Sequence, residues 1–232
     1  MKTLGILGGM SWESTAVYYR LVNQDVAARR GGLHSAPLVM ASVDFETIAA
    51  RQREGDWAGA AALLGRRAAG LRAAGAEALL IATNTMHKVG DAVAAEAGLP
   101  LLHIADATAA ALRAAGVQRA AFLGTRFSME DRSIVIDRLE RAGTPVLVPD
   151  EADRALMHRV IFDELCRGVV CEATRADIVA LIARQAARGA DAVVLGCTEI
   201  GLLIDAACSP LPCFDTTRLH AAAAVDWMME TP

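Results

Sequence analysis

A cysteine follows a run of apolar residues that has the length of a strand. Residues 192–195 are apolar, and Gly196, Cys197, Thr198 and Glu199 follow them directly. Such a run closed by glycine is typical of a parallel strand buried on both faces, and ligands bind at the carboxyl ends of such strands. The N–H groups of a following helix favour a thiolate, so we expect the pKa of Cys197 to be lowered from about 8.5. The alternative is a buried and inert thiol.

A second polar segment follows an earlier apolar run. Residues 78–82 are apolar and lead into Thr83, Asn84 and Thr85, with His87 close behind. Hydroxyl and amide groups therefore stand at another predicted ligand-binding edge. These two segments are the candidates for the residues that carry the chemistry.

The two segments belong to an internal repeat. Residues 188–199 align with residues 74–85, so that Thr83 falls opposite Cys197. Two more matches complete the repeat, residues 4–10 with 119–129 and residues 99–106 with 211–216. The repeat predicts an α/β protein of two similar lobes, each a parallel sheet flanked by helices.

Two lobes that face each other across a small ligand would bring Thr83 and Cys197 to it from opposite sides. That geometry suits the exchange of a proton at a carbon centre. Such a reaction needs a base, an acid and hydrogen-bond donors for a carboxylate. The side-chain donors expected here are Asn84, Thr85 and Thr198.

The composition argues against several classes of function. Of the 232 residues, 54% are hydrophobic and 4% aromatic, which is typical of an aliphatic core in a soluble α/β protein. The formal net charge is −4, and no basic block, long apolar stretch or signal-peptide core is present. We therefore expect a cytoplasmic protein that binds neither nucleic acid nor membrane.

The numbers and spacing of the cysteines, histidines and lysines also limit the possible chemistry. The five cysteines and five histidines lack the spacing of a disulfide framework or a metal site. Only two lysines occur, and Lys88 has no glycines around it that could hold the phosphate of a pyridoxal cofactor. We expect a reaction that uses neither a metal nor a cofactor.

Two further segments have alternative interpretations. Residues 8–11, Gly-Gly-Met-Ser, form a predicted turn that lacks the GxGxxG pattern of dinucleotide-binding proteins but can hold a small anion by its N–H groups. Arg51 and Arg53 can clamp a carboxylate, although a solvated helix face is the simpler interpretation.

Three motifs resemble those of the cofactor-independent aspartate/glutamate racemases. They are Gly-Gly-Met-Ser-Trp-Glu-Ser-Thr at residues 8–15, Thr-Asn-Thr-Met-His-Lys-Val at residues 83–89 and Leu-Gly-Cys-Thr-Glu-Ile-Gly-Leu-Leu at residues 195–203. Together they are most similar to the subgroup active on L-aspartate and L-glutamate. The resemblance covers essentially the whole chain.

The resemblance implies a pseudo-symmetric two-domain α/β fold, a homodimer and an active site in the cleft between the domains. The first domain would comprise residues 1–100 with 211–232, and the second residues 101–210. The implied reaction interconverts L- and D-aspartate and/or glutamate by proton transfer at Cα, with Cys197 on the L face and Thr83 on the other. The resemblance also implies substrate contacts from Met10, Gln52 and Thr125, in addition to Asn84, Thr85 and Thr198.

One residue departs from the family pattern. Most members carry a cysteine in each domain, and Thr83 replaces the first one here. An alcohol is a far weaker acid than a thiol, so we expect slow turnover or a marked preference for one enantiomer. The role of His87 is open between structure and catalysis.

The single motif cysteine keeps other functions open. A decarboxylase or isomerase of a dicarboxylate needs a proton donor on one face only. A non-catalytic protein that binds acidic amino acids would need the donors but no acid and base. A cysteine hydrolase has the least support, because His87 is the only apparent partner for the thiol.

Overall fold

We describe the protein from a computed structural model, which covers residues Met1–Glu230. The chain forms two compact units, one made of Met1–His103 with the residues from His220 onward, and one made of Ile104–Leu219. Within the described range, no helix is both long enough and apolar enough to cross a lipid bilayer.

The first unit is built on a four-stranded sheet. Its elements in chain order are β1 (Leu4–Gly8), α1 (Trp12–Arg30), β2 (Leu38–Ser42), α2 (Phe45–Glu54), α3 (Trp57–Ala73), β3 (Ala78–Ile81), a 3₁₀ helix (Thr85–Val89), α4 (Gly90–Ala97) and β4 (Leu101–Leu102). All neighbouring strands are parallel, in the order β2-β1-β3-β4.

Helices cover both faces of this sheet, which is why the central strands β1 and β3 are apolar and buried throughout. On one face, Val22 of α1 and Val225 of the last helix lie in one core cluster with Ile6. On the other face, Leu64 of α3 packs in a cluster with Leu7. The strands are thus held rigidly, and only the loops at their ends are left to build a site.

The second unit has the same plan. Its elements are α5 (Ile104–Ala114), β5 (Ala120–Gly124), α6 (Arg126–Glu130), α7 (Ile136–Arg141), β6 (Val146–Leu147), α8 (Glu151–Arg159), a π-helical turn (Val160–Glu164), a 3₁₀ turn (Leu165–Arg167), α9 (Glu172–Ala187), β7 (Ala192–Gly196), a 3₁₀ turn (Ile200–Leu202), β8 (Cys213–Asp215) and α10 (Thr216–Met229). The strands are parallel in the order β6-β5-β7-β8. Helix α10 begins in this unit and continues in the first unit from His220.

The two sheets confirm the predicted fold class and the internal repeat. Strands β1, β3 and β4 hold the same places in the first sheet as β5, β7 and β8 in the second. The two units meet at 103/104 and 219/220, which is three and nine residues further along the chain than the expected 100/101 and 210/211. Leu101–Leu102 forms β4, which completes the first sheet, and Cys213–Asp215 forms β8, which completes the second.

The strand register places the polar segments at the carboxyl edges of the sheets. In the second unit, Gly124 of β5 pairs with Gly196 of β7, so Thr125 and Cys197 follow neighbouring strands at the same edge. Gly196 is required there, because a Cβ at this position would overlap the ring of Phe122. Because the ring packs closely against the end of β7, it fixes the position of the backbone from which Cys197 follows.

Candidate active site

The thiol of Cys197 is buried next to a carboxylate. It follows β7 directly, is 7% exposed, and its Sγ–H donates to Oε2 of Glu199 at 2.9 Å. The hydroxyl of Thr198 donates to the same oxygen at 2.8 Å. Glu199 is only 2% exposed, so one buried carboxylate oxygen accepts hydrogen bonds from two neighbouring side chains. This arrangement offers the thiol an acceptor for its proton.

The pKa of Cys197 is raised well above its ordinary value, and our expectation of a lowered pKa is therefore wrong. Burial is the main cause, because it disfavours the charged thiolate, and the negative charge of Glu199 adds to the effect. The helix expected to favour the thiolate is only the three-residue 3₁₀ turn Ile200–Leu202, which is too short to supply a dipole. The thiol is protonated at neutral pH. Another group must therefore remove its proton before Cys197 can itself act as a base.

Glu199 is a residue to which the sequence analysis assigned no role. Its position in the sequence gave a signal, because this acidic residue lies three positions after a buried strand and directly before the apolar Ile200. Acidic side chains are seldom fully buried unless they are paired. A glutamate two residues after a strand-end cysteine therefore indicates specific partners, and the thiol of Cys197 is one of them.

Thr83 lies two residues after β3 and is 8% exposed. Its backbone N–H donates to the carbonyl oxygen of Ile81 at 2.9 Å, and its own carbonyl accepts from Nδ1 of His87 at 2.8 Å. The backbone at Thr83 is therefore held on both sides. Asn84 and Thr85, which are 2% and 5% exposed, continue the chain into the 3₁₀ helix Thr85–Val89.

Gln52 lies in the same unit, on α2. Its side chain is 5% exposed, and Nε2 donates to Sδ of Met86 at 3.0 Å, which brings the amide to the segment that contains Asn84 and Thr85. The neighbouring arginines form ion pairs on the helix surface, Arg51 with Asp56 and Arg53 with Glu46. These partners favour the interpretation of a solvated helix face over that of a carboxylate clamp.

Met10 and Thr125 follow the first strand of each unit. The side chain of Met10 is 3% exposed and packs in the core, so its backbone is the part that remains for a ligand. The adjacent N–H of Gly9 donates to the hydroxyl of Thr15 at 2.8 Å. Thr125 caps α6, since its Oγ1 accepts from the N–H of Ser128 at 3.2 Å. Contact of either residue with a carboxylate stays a prediction.

The predicted site residues thus form two groups, each at the carboxyl edge of one sheet. The first unit holds Met10, Gln52, Thr83, Asn84 and Thr85, and the second holds Thr125, Cys197 and Thr198. The first group offers neutral donors and an alcohol. The second offers a thiol with a carboxylate beside it.

The residues considered for a cofactor or a metal have other surroundings. The ammonium group of Lys88 lies 4.4 Å from the ring centroid of Trp57, in a cation–π contact on an exposed side chain. In the part of the chain that the structure describes, no three His, Cys, Asp or Glu side chains gather in a way that could hold a metal ion.

Comparison with known proteins gives matches over nearly the whole chain. Residues 7–224 match the Asp/Glu/hydantoin racemase family. A candidate Asp/Glu racemase from Yersinia pestis is 48% identical, with a TM-score of 0.90 over 99% of this chain and 100% of that one. An aspartate racemase homologue from Pyrococcus horikoshii OT3 is 31% identical, with a TM-score of 0.83 over 99% and 100%.

A more distant structure shares the fold. The aspartate racemase of Picrophilus torridus is 20% identical, with a TM-score of 0.75 over 98% of this chain and 94% of that one. The resemblance carried by the three motifs is thereby confirmed, since sequence and fold agree over both units. The chain belongs to the Asp/Glu/hydantoin racemase family.

Proposed function

We propose that the protein racemises aspartate and/or glutamate without a cofactor, with Cys197 acting on the L face of Cα and Thr83 on the other. The observation that carries this proposal is the hydrogen bond from the Cys197 thiol to the buried carboxylate of Glu199. A structural cysteine has no need of a buried anion, whereas a catalytic one needs an acceptor for its proton.

The first step moves two protons. The thiol of Cys197 transfers its proton over 2.9 Å to Oε2 of Glu199, and the resulting thiolate takes the proton from Cα of the L-amino acid. The electron pair of the C–H bond stays on the substrate as a carbanion conjugated with its α-carboxylate. A thiolate whose pKa is raised is a stronger base than an ordinary one, which suits a weakly acidic C–H bond.

The second step returns a proton from the other side. The hydroxyl of Thr83, or a water that it holds, donates to the opposite face of Cα and completes the inversion. The alkoxide or hydroxide left behind takes a proton from solvent, and Glu199 releases to solvent the proton that it received. Because enantiomers have equal free energies, the same groups must also work in reverse. Before Thr83 can take a proton from a D-substrate it must lose its own, which an alcohol does far less readily than a thiol. We therefore expect slow turnover or a marked difference between the enantiomers in kcat and in KM, with kcat/KM equal in the two directions.

Polar groups near these residues supply the contacts with the carboxylates. We assign this role to the amides of Gln52 and Asn84 and to the hydroxyl of Thr85 in the first unit. In the second unit we assign it to Thr125 and Thr198. Hydrogen-bond donors are needed most where negative charge grows, which is the α-carboxylate of the carbanion.

The test is the entry of solvent deuterium into Cα of L-aspartate and L-glutamate, followed by mass spectrometry and chiral chromatography. We expect exchange with at least one of them and formation of its D-enantiomer. Absence of exchange with every acidic amino acid would sink the proposal. The panel also decides between the two substrates, since one methylene changes binding by only about 1–3 kcal/mol.

The single thiol favours one further candidate, a decarboxylase or isomerase of a dicarboxylate. Such an enzyme protonates a planar intermediate from one face. Cys197 would then be sufficient as the proton donor, and Thr83 would not have to act as an acid. Faster conversion of arylmalonate or maleate than exchange of amino acids would favour this candidate. Calorimetric binding of aspartate without exchange or conversion would instead indicate a non-catalytic binding protein.

Two expectations about the setting also remain proposals. We propose a homodimer, which light scattering after size-exclusion chromatography tests directly. We also propose a cytoplasmic location, which fractionation of the source cells tests.

A further inference from the structure

A cluster of aromatic and imidazole rings lies in the first unit beside Thr83. The ring centroid of His87 lies 4.4 Å from that of His103 and 5.8 Å from that of His220. Tyr18 meets His220 edge-on, with centroids 5.7 Å apart. Tyr18 and His220 are fully buried and His87 is 5% exposed. The proposed reaction uses none of these rings, so the reason for burying them is open.

Hydrogen bonds determine the tautomer of His220. Its Nε2 lies 2.7 Å from the carbonyl oxygen of Leu102, and a carbonyl only accepts, so Nε2 carries the proton. Nδ1 then accepts from the hydroxyl of Tyr18 at 2.9 Å. Burial, together with the nearby His87, lowers the pKa of His220 to about 3. His220 is therefore a neutral ring held at both nitrogens.

The same reasoning places a proton on Nδ1 of His87. Its Nδ1 lies 2.8 Å from the carbonyl oxygen of Thr83, so Nδ1–H is the donor. The two neighbouring rings thus carry their protons on different nitrogens. The contacts with His103 and His220 restrict the plane of the His87 ring and keep Nδ1 aimed at Thr83.

The second unit shows that the turn does not need an imidazole to close. In the internal repeat, Cys197 corresponds to Thr83 and Gly201 corresponds to His87. The carbonyl of Cys197 accepts from the backbone N–H of Ile200 at 3.1 Å. In the first unit a side chain donates to the carbonyl of Thr83, whereas in the second unit a backbone N–H donates to the carbonyl of Cys197. The side-chain donor thus occurs at the residue that has an alcohol in place of a thiol.

We propose that His87 is a positioning residue for Thr83, whose carbonyl it holds through Nδ1–H so that the hydroxyl keeps one place at the end of β3. The inference rests on the proposed function, in which Thr83 supplies a proton. An alcohol cannot compensate for poor placement by ionising, so it depends on geometry more than a thiol does. A displacement of about 1 Å in such a group can cost about a hundredfold in rate.

The test compares two substitutions of similar size, His87→Asn and His87→Leu. The amide N–H of asparagine can replace Nδ1–H, whereas leucine has no donor. We expect His87→Leu to lower the rate of L-to-D conversion about 10- to 100-fold with KM within about twofold. Deuterium entry into Cα of the recovered L-substrate, which depends on Cys197, should fall much less. His87→Asn should retain conversion within about threefold of wild type.

The control is His34→Leu, in an exposed loop, which should leave all rates unchanged. Equal losses in His87→Asn and His87→Leu would overturn the inference, because the donor would then be irrelevant. It would equally be overturned if His87→Leu lowered L-exchange as much as conversion, since the damage would then not be specific to Thr83.

A spectroscopic measurement on the wild-type protein is independent of activity and of whether the leucine variant folds. In ¹⁵N-labelled protein at neutral pH, we expect His87 to carry its proton on Nδ1 and His220 to carry its proton on Nε2. A His87 ring with its proton on Nε2 alone would contradict the inference, because Nδ1 could then not donate to the carbonyl of Thr83. Wild-type protein that shows these tautomers but exchanges no acidic amino acid would instead refute the proposed function and leave only the anchoring of Thr83.

Discussion

The carboxyl ends of β3 and β7 are copies of one unit with different chemistry. Thr83, Thr85 and His87 of the first unit correspond to Cys197, Glu199 and Gly201 of the second. At the second end, an ionisable thiol has a carboxylate within 2.9 Å. At the first end, a hydroxyl group has an imidazole that holds its backbone at 2.8 Å.

Under the proposed function, this difference adapts one backbone to two roles. In the proposed reaction, a thiol that must lose its proton needs a neighbour that accepts the proton. An alcohol, which ionises far less readily, needs to be held in place. The duplicated strand supplies the position of both, and the residues two and four places further along supply what is different.

The largest effect is expected from removing the thiol. Cys197→Ala should lower deuterium entry into L-substrates by at least about a thousandfold, and Cys197→Ser should be nearly as inactive, because a hydroxyl does not ionise in its place. Thermal unfolding followed by circular dichroism should show a folded protein, since only one small side chain is removed. Wild-type exchange in either variant would mean that Cys197 is not the base.

Removing the charge of Glu199 tests its role as proton acceptor. Glu199→Gln should lower kcat/KM for L-substrates about a hundredfold at neutral pH, as expected for the loss of a general base. A simple electrostatic role predicts the opposite sign, because the negative charge raises the pKa of Cys197 and its loss would favour the thiolate. An increase in rate would therefore reject the transfer of a proton to Glu199.

The pH dependence separates the two routes to the thiolate. In the wild type the proton passes from Cys197 to Glu199 without leaving the protein, so kcat/KM should be flat from about pH 7 to 8.5. In Glu199→Gln the thiol must lose its proton to solvent. Burial still keeps its pKa above the ordinary value, so kcat/KM should rise about tenfold per pH unit over the same range. Parallel profiles for the two proteins would contradict the route through Glu199.

A smaller effect is expected from making the first end resemble the second. Thr83→Cys should raise proton abstraction from D-aspartate or D-glutamate several-fold, because a thiol ionises far more readily than an alcohol. The two thiols would share one proton in the working form, so activity should fall on both sides of a pH optimum. A folded variant with no gain in exchange from D-substrates would refute the assignment of Thr83 as the second acid–base residue.

The smallest expected effect is on the free energy of unfolding and involves His220, which belongs to the ring cluster beside Thr83. The folded-state pKa of His220 is lowered to about 3, whereas an unfolded histidine takes up its proton near 6.5. The unfolded chain therefore binds the extra proton between these values, and this contribution to stability is lost as pH falls, by about 1.4 kcal/mol per unit.

The measurement is urea unfolding at pH 7 and at about pH 5. When the pH is lowered from 7 to about 5, the free energy of unfolding should decrease by about 2 kcal/mol less in His220→Gln than in the wild type. The exposed His34→Gln variant should lose as much as the wild type. Equal losses in all three proteins would show that His220 is not held neutral.

Much of the fold could be predicted because the sequence contains an internal repeat. The alignment of residues 74–85 with 188–199 predicted two similar sheets, and the order of the strands confirms it. The unit boundaries were harder to place, because β4 and β8 have only two and three residues. Strands this short carry little periodicity, and their pairing with β3 and β7 is decided by tertiary contact.

The candidate residues could be found from the sequence, but their electrostatics could not. The pKa of Cys197 depends on the depth of burial and on the side chain of Glu199, neither of which a strand-end motif specifies. The sequence likewise left the role of His87 open between structure and catalysis, and only the fold shows that its Nδ1 reaches the carbonyl of Thr83. Burial and partner choice are properties of the packed chain, so a linear pattern leaves them undetermined.

The division of α10 between the two units has a consequence for biosynthesis. The ribosome makes β1 well before the part of α10 that covers it, which begins at His220. The backbone N–H of Lys2 can donate to the carbonyl of Met228 at 2.9 Å only after that part has been made. The apolar face around Leu4, which α1 covers in part, therefore stays incomplete until this part of α10 has been made. The second unit is contiguous from Ile104 to Leu219, so we expect it to fold first and the unit that holds Thr83 to be completed afterwards.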